Sequence, residues 1–339
     1  MKRYLSVALL GVGMLVPSVS GAQEQQKETI VQALTHSIEQ NYVQQQKIPQ
    51  IVSALQALSK TTEFTAAADN QALLLILNQE LKKFDEHLDL SIVPQGDTHA
   101  KNTKQQYESW FDKLARKNFG FEKVEILPAN VGLLSFWGFA NVTPRSKQKV
   151  HSAMMLLEDA DSIIIDLRNN GGGDATMVQL ISSYFLDKPT HLNSFYSRDT
   201  GLTSEFWTVP VTGKQRPNVP LYILTSNKTF SAAEEFAYNF KHLGRATIIG
   251  EPTKGGANPW RFINLTPDIR VAMPTSMAVN PVTKSNWEGT GVIPHLKVAS
   301  EQALDIAYSN ALLHLREISE GERHLNDIEL ALKTLKEHQ

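Results

Sequence analysis

The run Ser162-Ile163-Ile164-Ile165-Asp166-Leu167 constrains the fold more than any other segment of the chain. Successive apolar residues on a strand point to opposite faces, so neither face can be left to water and both must be covered, as in parallel sheets. Residues 221–225 and 247–250 repeat that texture, and stretches of helical character at 146–158, 175–185 and 232–243 alternate with the three runs. Strand, helix, strand at these spacings predicts an α/β core made of crossover units. Further strands are expected at 88–93 and 131–136, a helix at 107–117 and a polar loop at 95–103. A hairpin is expected from 262–265 to 269–273, turning at Thr266-Pro267-Asp268.

Ahead of the core, Ile30, Leu34 and Ile38, then Ile51, Leu55 and Leu58, then Leu73, Leu77 and Leu81 recur at helical spacing. They predict a bundle of about three helices over 23–84, broken near Thr61-Thr62 and Asp69-Asn70, with Asn70 as the N-cap of the last. Such a bundle serves as a packing domain or as a lid. The end of the chain, 301–339, reads as a helical tail. Residues 1–22 begin with Lys2 and Arg3, continue through an apolar run to Val16 and close on Ser20-Gly21-Ala22. That order is the pattern of a secretory signal peptide cleaved near Ala22, and the run is shorter than the ~20 residues a membrane span needs. The expected location is periplasmic or secreted, and the expected division is 1–22, 23–84, 85–300 and 301–339. The absence of cysteine excludes disulfides, a thiol nucleophile and Cys-ligated metal, so packing alone must hold the fold. With 33 basic against 35 acidic residues and a net charge of -2, no global field draws the chain to nucleic acid or to an anionic membrane.

Chemistry in α/β folds gathers at the carboxyl ends of parallel strands. After the first buried run comes Arg168-Asn169-Asn170-Gly171-Gly172-Gly173, where three glycines let backbone N–H groups converge on an oxyanion or a phosphate. The Lys-Ser/Thr pair of a phosphate-binding loop is missing. After the second run, Thr225-Ser226-Asn227-Lys228-Thr229-Phe230 leads to Ser231 at the head of an alanine-rich helix. A serine there either caps the helix or acts as a nucleophile whose developing charge the helix terminus stabilises.

These segments, together with Asn118-Phe119-Gly120-Phe121, Gly250-Glu251-Pro252-Thr253-Lys254-Gly255-Gly256-Ala257 and Trp287-Glu288-Gly289-Thr290-Gly291-Val292-Ile293-Pro294, fall in a familiar order. Over residues 84–298 the sequence resembles the tail-specific, C-terminal processing serine peptidases, the tricorn core protease and the interphotoreceptor retinoid-binding protein repeats. The resemblance implies an α/β fold with a crotonase-like and ClpP-like αββ superhelix. It also implies peptide hydrolysis through an acyl-enzyme on Ser231, with no metal and no organic cofactor and with a peptide or unfolded protein as substrate.

Ser-Lys members of that family carry their lysine base at the position of Gly256, so Lys254, two residues away, is a doubtful base. The tricorn-like and retinoid-binding-protein-like branch has instead an Asp-x-His turn, matched by Asp85-Glu86-His87, and a late glutamate, matched by Glu288. Imidazole titrates near neutrality and can return its proton to a leaving amine, which makes His87 the expected base and Glu288 the residue that orients it. Backbone N–H groups of Gly172 or Gly173 together with Ala232 are the expected oxyanion donors. Only about forty residues separate the bundle from the core, too few for the PDZ module of many relatives, and the acidic residue that relatives carry after Ile-Pro is His295 here. The second reading from the sequence is a domain without strong catalysis that binds hydrophobic small molecules or peptides. A third, an acyl-thioester enzyme on the crotonase-like fold, has no need of a serine at Ser231.

Overall fold

Ile163 and Ile165 point to one side of their strand and Ile164 to the other, and the computed structural model, which describes residues 19–94 and 108–337, covers both sides. The N-terminal region holds α1 (Val19–Asn41), α2 (Ile48–Leu58), α3 (Thr62–Thr65) and α4 (Asn70–Leu81), followed by β1 (Asp89–Ile92). After α5 (Trp110–Arg116) come β2 (Phe121–Leu127), β3 (Val131–Phe136), α6 (Pro144–Leu156), β4 (Ser162–Asp166) and α7 (Ala175–Ser182). A two-strand excursion, β5 (His191–Ser197) and β6 (Thr203–Trp207), precedes β7 (Leu221–Thr225), α8 (Ala232–His242) and β8 (Thr247–Gly250). The chain closes with β9 (Trp260–Asn264), β10 (Ile269–Pro274), β11 (Ser276–Val279), β12 (Leu296–Lys297), α9 (Ala303–Ile318) and α10 (Glu322–Glu337).

The central sheet has six strands in the order β12-β8-β7-β4-β3-β2, parallel except for the β2/β3 pair. Helices α6, α7 and α8 cover the face bearing Ile163, Ile165 and Ile223. The opposite face, with Val131, Leu133, Ile164, Leu224 and Ile249, is covered by α9 and α10. The expected helical tail is thus the second cover of the sheet, folded back on itself where Ser319-Glu320-Gly321 separates α9 from α10.

A second apolar cluster joins α1, α2 and α4 to Leu88, Leu90, Ile269, Val271 and Met273 of the three-stranded sheet β1-β10-β9. The N-terminal bundle is therefore cemented to strands from both ends of the core region. It contains four helices once the single turn of α3 is counted. Asp69, not Asn70, caps α4: the Asp69 carboxylate accepts the Ala72 N–H at 2.9 Å, and Asn70 is the first helical residue. The remaining sheet, β11-β5-β6, and the strand β2 escape the hydrophobic reading of the sequence, because β6 is mostly exposed and β2 alternates with Glu122, Lys123 and Glu125. The expected signal segment up to residue 18 and the polar loop at 95–103 lie outside the described residues. Among the described residues no helix is long and apolar enough to cross a membrane.

Candidate active site

Ser231 sits between β7 and α8 with φ 54° and ψ -120°, a conformation that L-residues rarely adopt and that costs on the order of 1–3 kcal/mol. The neighbourhood over-determines it. Glu234, fully buried in the first turn of α8, accepts the Ser231 N–H at 2.8 Å and also takes the N–H groups of Gly255 and Gly256 and the Thr253 hydroxyl. One carboxylate thereby fixes the backbone of the serine to the segment that follows β8.

The glycine turn after β4 is laced to the serine turn. Thr229 Oγ1 donates to the Leu167 carbonyl, the Ser226 hydroxyl to the Arg168 carbonyl, and the Phe230 N–H to the Asn170 carbonyl. Arg168 is itself clamped by Asp166 through Nε and Nη2, and its Nη1 reaches the Ser300 carbonyl. Asn170 closes the turn by accepting the Gly172 N–H on its side-chain oxygen and donating to the Phe136 carbonyl. Gly172, at φ +88°, lies so close to the serine turn that a Cβ would stand 2.9 Å from the Ala232 nitrogen and 2.8 Å from the Ser231 Cβ. With the Gly172 N–H committed to Asn170, the N–H groups of Gly173 and Ala232 are the two of the three expected donors without an acceptor among the described residues.

His87 arrives from the other apolar unit, in the turn between α4 and β1. Asp85 forms that turn by accepting the His87 N–H on Oδ1 at 2.9 Å, the side-chain-to-backbone bond that makes Asp a turn former. Its Oδ2 accepts the hydroxyl of Tyr42 at 3.0 Å, at the end of α1. Burial first, and then Asp85, raise the Tyr42 hydroxyl far above its ordinary range, so it stays a donor. The His87 side chain is 3% exposed, neither ring nitrogen has a hydrogen-bond partner among the described residues, and Nδ1 lies 3.6 Å from Asp85 Oδ1. The imidazole rests against the Phe230 ring at a centroid distance of 4.7 Å, one residue from Ser231.

A lysine base at Gly256, the position that the resemblance gave it, would find no room. A Cβ there would stand 2.2 Å from Phe230 Cε2 and 2.7 Å from His87 Cε1, so the space is already filled by the histidine and the phenylalanine. Lys254 is turned to other partners: its ammonium pairs with Glu86 at 3.0 Å and lies 4.8 Å from the centroid of the Phe230 ring. Glu288 follows the buried Trp287, whose indole N–H donates to the Gly256 carbonyl at 3.0 Å. Glu288 Oε2 accepts the Ala257 N–H at 2.7 Å, and Oε1 is buried without a partner among the described residues. Burial, and after it the charge of Asp85, push the Glu288 carboxyl up to about 8. Ligand atoms of Asp85, His87 and Glu288 all lie within 4.8 Å of one another.

The structure thus brings together Ser231, Gly172, Gly173 and Ala232 on one side and Asp85, His87 and Glu288 on the other, and leaves Lys254 outside. His295 has a structural task, its Nδ1 accepting the Ile248 N–H at 2.9 Å. The contributions of Tyr42 and Glu234 were not read from the sequence. A tyrosine at a helix end and a glutamate in an alanine-rich first turn carry no signal of what they meet across the fold.

Residues 130–298 match the family model described as Peptidase family S41. That span includes the glycine turn, Ser231 and Glu288, whereas Asp85 and His87 precede it. The fold is similar to that of a candidate peptidase from Parabacteroides merdae, with a TM-score of 0.61 and 17% identity over 88% of this chain and 98% of that one. It is also similar to a lipoprotein from Streptococcus agalactiae, with a TM-score of 0.54 and 18% identity over 90% of this chain and all of the other. At these identities the likeness is one of fold.

Proposed function

We propose that this chain, whose residues 130–298 form a peptidase family S41 region, is a serine peptidase that cleaves peptides or unfolded proteins through an acyl-enzyme on Ser231. In this reading Ser231 Oγ attacks the scissile carbonyl as His87 takes its proton. The N–H groups of Gly173 and Ala232 receive the negative charge that develops on the carbonyl oxygen. Collapse of the tetrahedral intermediate expels the amine, which takes the proton back from His87. Water then repeats the sequence on the ester and frees the serine. Glu288, in its ionised form, orients the imidazole and balances the imidazolium. The proposal includes the PDZ-free branch of the family and a periplasmic or secreted location, the latter supported by the basic-then-apolar residues 2–16.

The observation that carries the proposal is the placement of His87. It is a buried imidazole with both nitrogens unpartnered among the described residues, packed against Phe230, the residue before the strained serine, in space that Gly256 leaves free. A hydrogen bond from base to nucleophile often forms only once substrate is bound, and in this reading the imidazole closes on Ser231 at that stage. Ser231→Ala is expected to lower hydrolysis of an unfolded protein by at least about a thousandfold with the fold unchanged. Hydrolysis that survives in Ser231→Ala overturns the reading. A folded wild type that cleaves nothing but binds an apolar small molecule saturably favours the binding domain instead.

A further inference from the structure

We propose that Asp85, His87 and Glu288 form a zinc-binding site, and that zinc held there withholds the base from Ser231. The site itself is independent of the peptidase reading; its inhibitory consequence rests on it. A serine peptidase needs one carboxylate beside its histidine. Here two converge on the same imidazole, from segments two hundred positions apart, and the donor atoms of the three residues already lie within 4.8 Å of one another. Neither ring nitrogen of His87 has a partner among the described residues, although the side chain is 3% exposed, and Glu288 Oε1 is likewise buried and unpartnered. Buried polar atoms are nearly always satisfied, so an unpartnered imidazole and an unpartnered Glu288 Oε1, on residues whose donor atoms gather within 4.8 Å, call for an occupant.

The chemistry of the donors selects the ion. One imidazole nitrogen with two carboxylate oxygens suits zinc, whereas magnesium and calcium prefer all-oxygen sets. Bonds of about 2.0–2.2 Å place neighbouring ligands about 3.3 Å apart, so zinc would draw the donor atoms together by at most roughly 1.5 Å. The surroundings hold the ligands ready. Asp85 is fixed by the His87 N–H and the Tyr42 hydroxyl, and Glu288 by the Ala257 N–H. Outer partners of this kind typically change metal affinity by about 10–100-fold. The nearby lysines have other partners, Lys254 pairing with Glu86 and Lys47 donating to the Phe84 carbonyl. With the imidazole coordinated, Ser231 has no proton acceptor, so zinc acts as a reversible inhibitor and not as a cofactor.

The test uses tag-free, chelator-treated full-length protein carrying Ser231→Ala, so that binding is read without reference to activity. Calorimetric titration with zinc chloride is expected to give one site per chain, weakened at least about tenfold by His87→Asn and by Glu288→Gln, each checked for folding by circular dichroism. Cobalt(II) in place of zinc is expected to give visible absorption bands that His87→Asn abolishes, a signature that nonspecific surface binding does not produce. In the protein with Ser231 intact, zinc is expected to suppress hydrolysis and a chelator to restore it. No stoichiometric binding, or binding that is unchanged in both variants, overturns the site even if Ser231→Ala proves inactive. Zinc bound through His87 with hydrolysis undiminished leaves the site standing and removes His87 as the base.

Discussion

At the scale of single residues, the site is governed by the absence of a side chain at Gly256. Its missing Cβ makes room for Phe230 and His87, and the same crowding blocks a lysine at that position. Gly256→Lys is therefore expected to abolish activity where a lysine base would have supported it. Gly256→Ala is expected to destabilise by about 1–3 kcal/mol through overpacking, as read from urea denaturation. The strain at Ser231 gives a second prediction. Alanine keeps the unfavourable backbone at φ 54°, whereas glycine relieves it, so Ser231→Gly is expected to be about 1 kcal/mol more stable than Ser231→Ala, both being inactive. Equal stabilities would mean that the conformation is unstrained.

Which site residues could be read from the sequence follows from how local their signals are. Asp166, Asn170 and Asp85 each bond a backbone N–H two residues on, so the turns they build are written in adjacent letters. Ser231 and the glycine turn stand out because they follow buried strands. The convergence of Asp85 with Glu288, and of Glu234 with the segment after β8, depends on tertiary packing and has no counterpart in spacing. The choice between Gly172 and Gly173 was likewise closed to the sequence, because it turns on the Asn170 side chain taking one of the two N–H groups.

At the scale of elements, α8 bears two buried glutamates in its first turn, near the helix terminus that favours negative charge. Glu234 is saturated with donors. Glu235 is fully enclosed, and burial pushes its carboxyl up to about 8. A carboxyl raised in the folded state contributes stability that is complete below its unfolded value of about 4.3 and is lost as the pH rises through about 8. The melting temperature is therefore expected to fall across that window and to level off above it, and Glu235→Gln to flatten the fall. A melting temperature that is flat in the wild type contradicts this account of the helix. The end of α1 has the opposite kind of task. Tyr42 ties the bundle to Asp85, while Arg198 holds the Tyr42 and Glu39 carbonyls. Tyr42→Phe is expected to lower kcat by roughly tenfold with KM little changed, because it loosens the turn that positions His87 and touches no substrate. A change confined to KM would contradict that positioning role.

At the scale of the whole molecule, the reacting groups are divided between two apolar units. The six-stranded sheet and its helices carry the proposed nucleophile and oxyanion donors, and the bundle with β1 and β10 carries the proposed base. The inner strands of the first unit, β3, β4, β7 and β8, were legible because they are buried on both faces. The β11-β5-β6 sheet was not, since a strand such as Thr203–Trp207 that is largely exposed on both faces carries no apolar alternation. The division also sets the pH behaviour. If ionised Glu288 orients His87, kcat/KM is expected to climb with pH through about 8, and Glu288→Gln to lower the rate and remove that limb. A limb near the ordinary histidine value of about 6.5 that persists in Glu288→Gln would exclude the glutamate from the mechanism.

The central claim is that Ser231 is activated by His87. Its most direct measurement is the rate at which a fluorophosphonate labels the chelator-treated protein at neutral pH, with the modified residue located by peptide mass. The account predicts one label per chain, on Ser231, formed at least about a hundredfold more slowly in folded His87→Asn. Labelling that is absent from the folded wild type, or equally fast without His87, would contradict it.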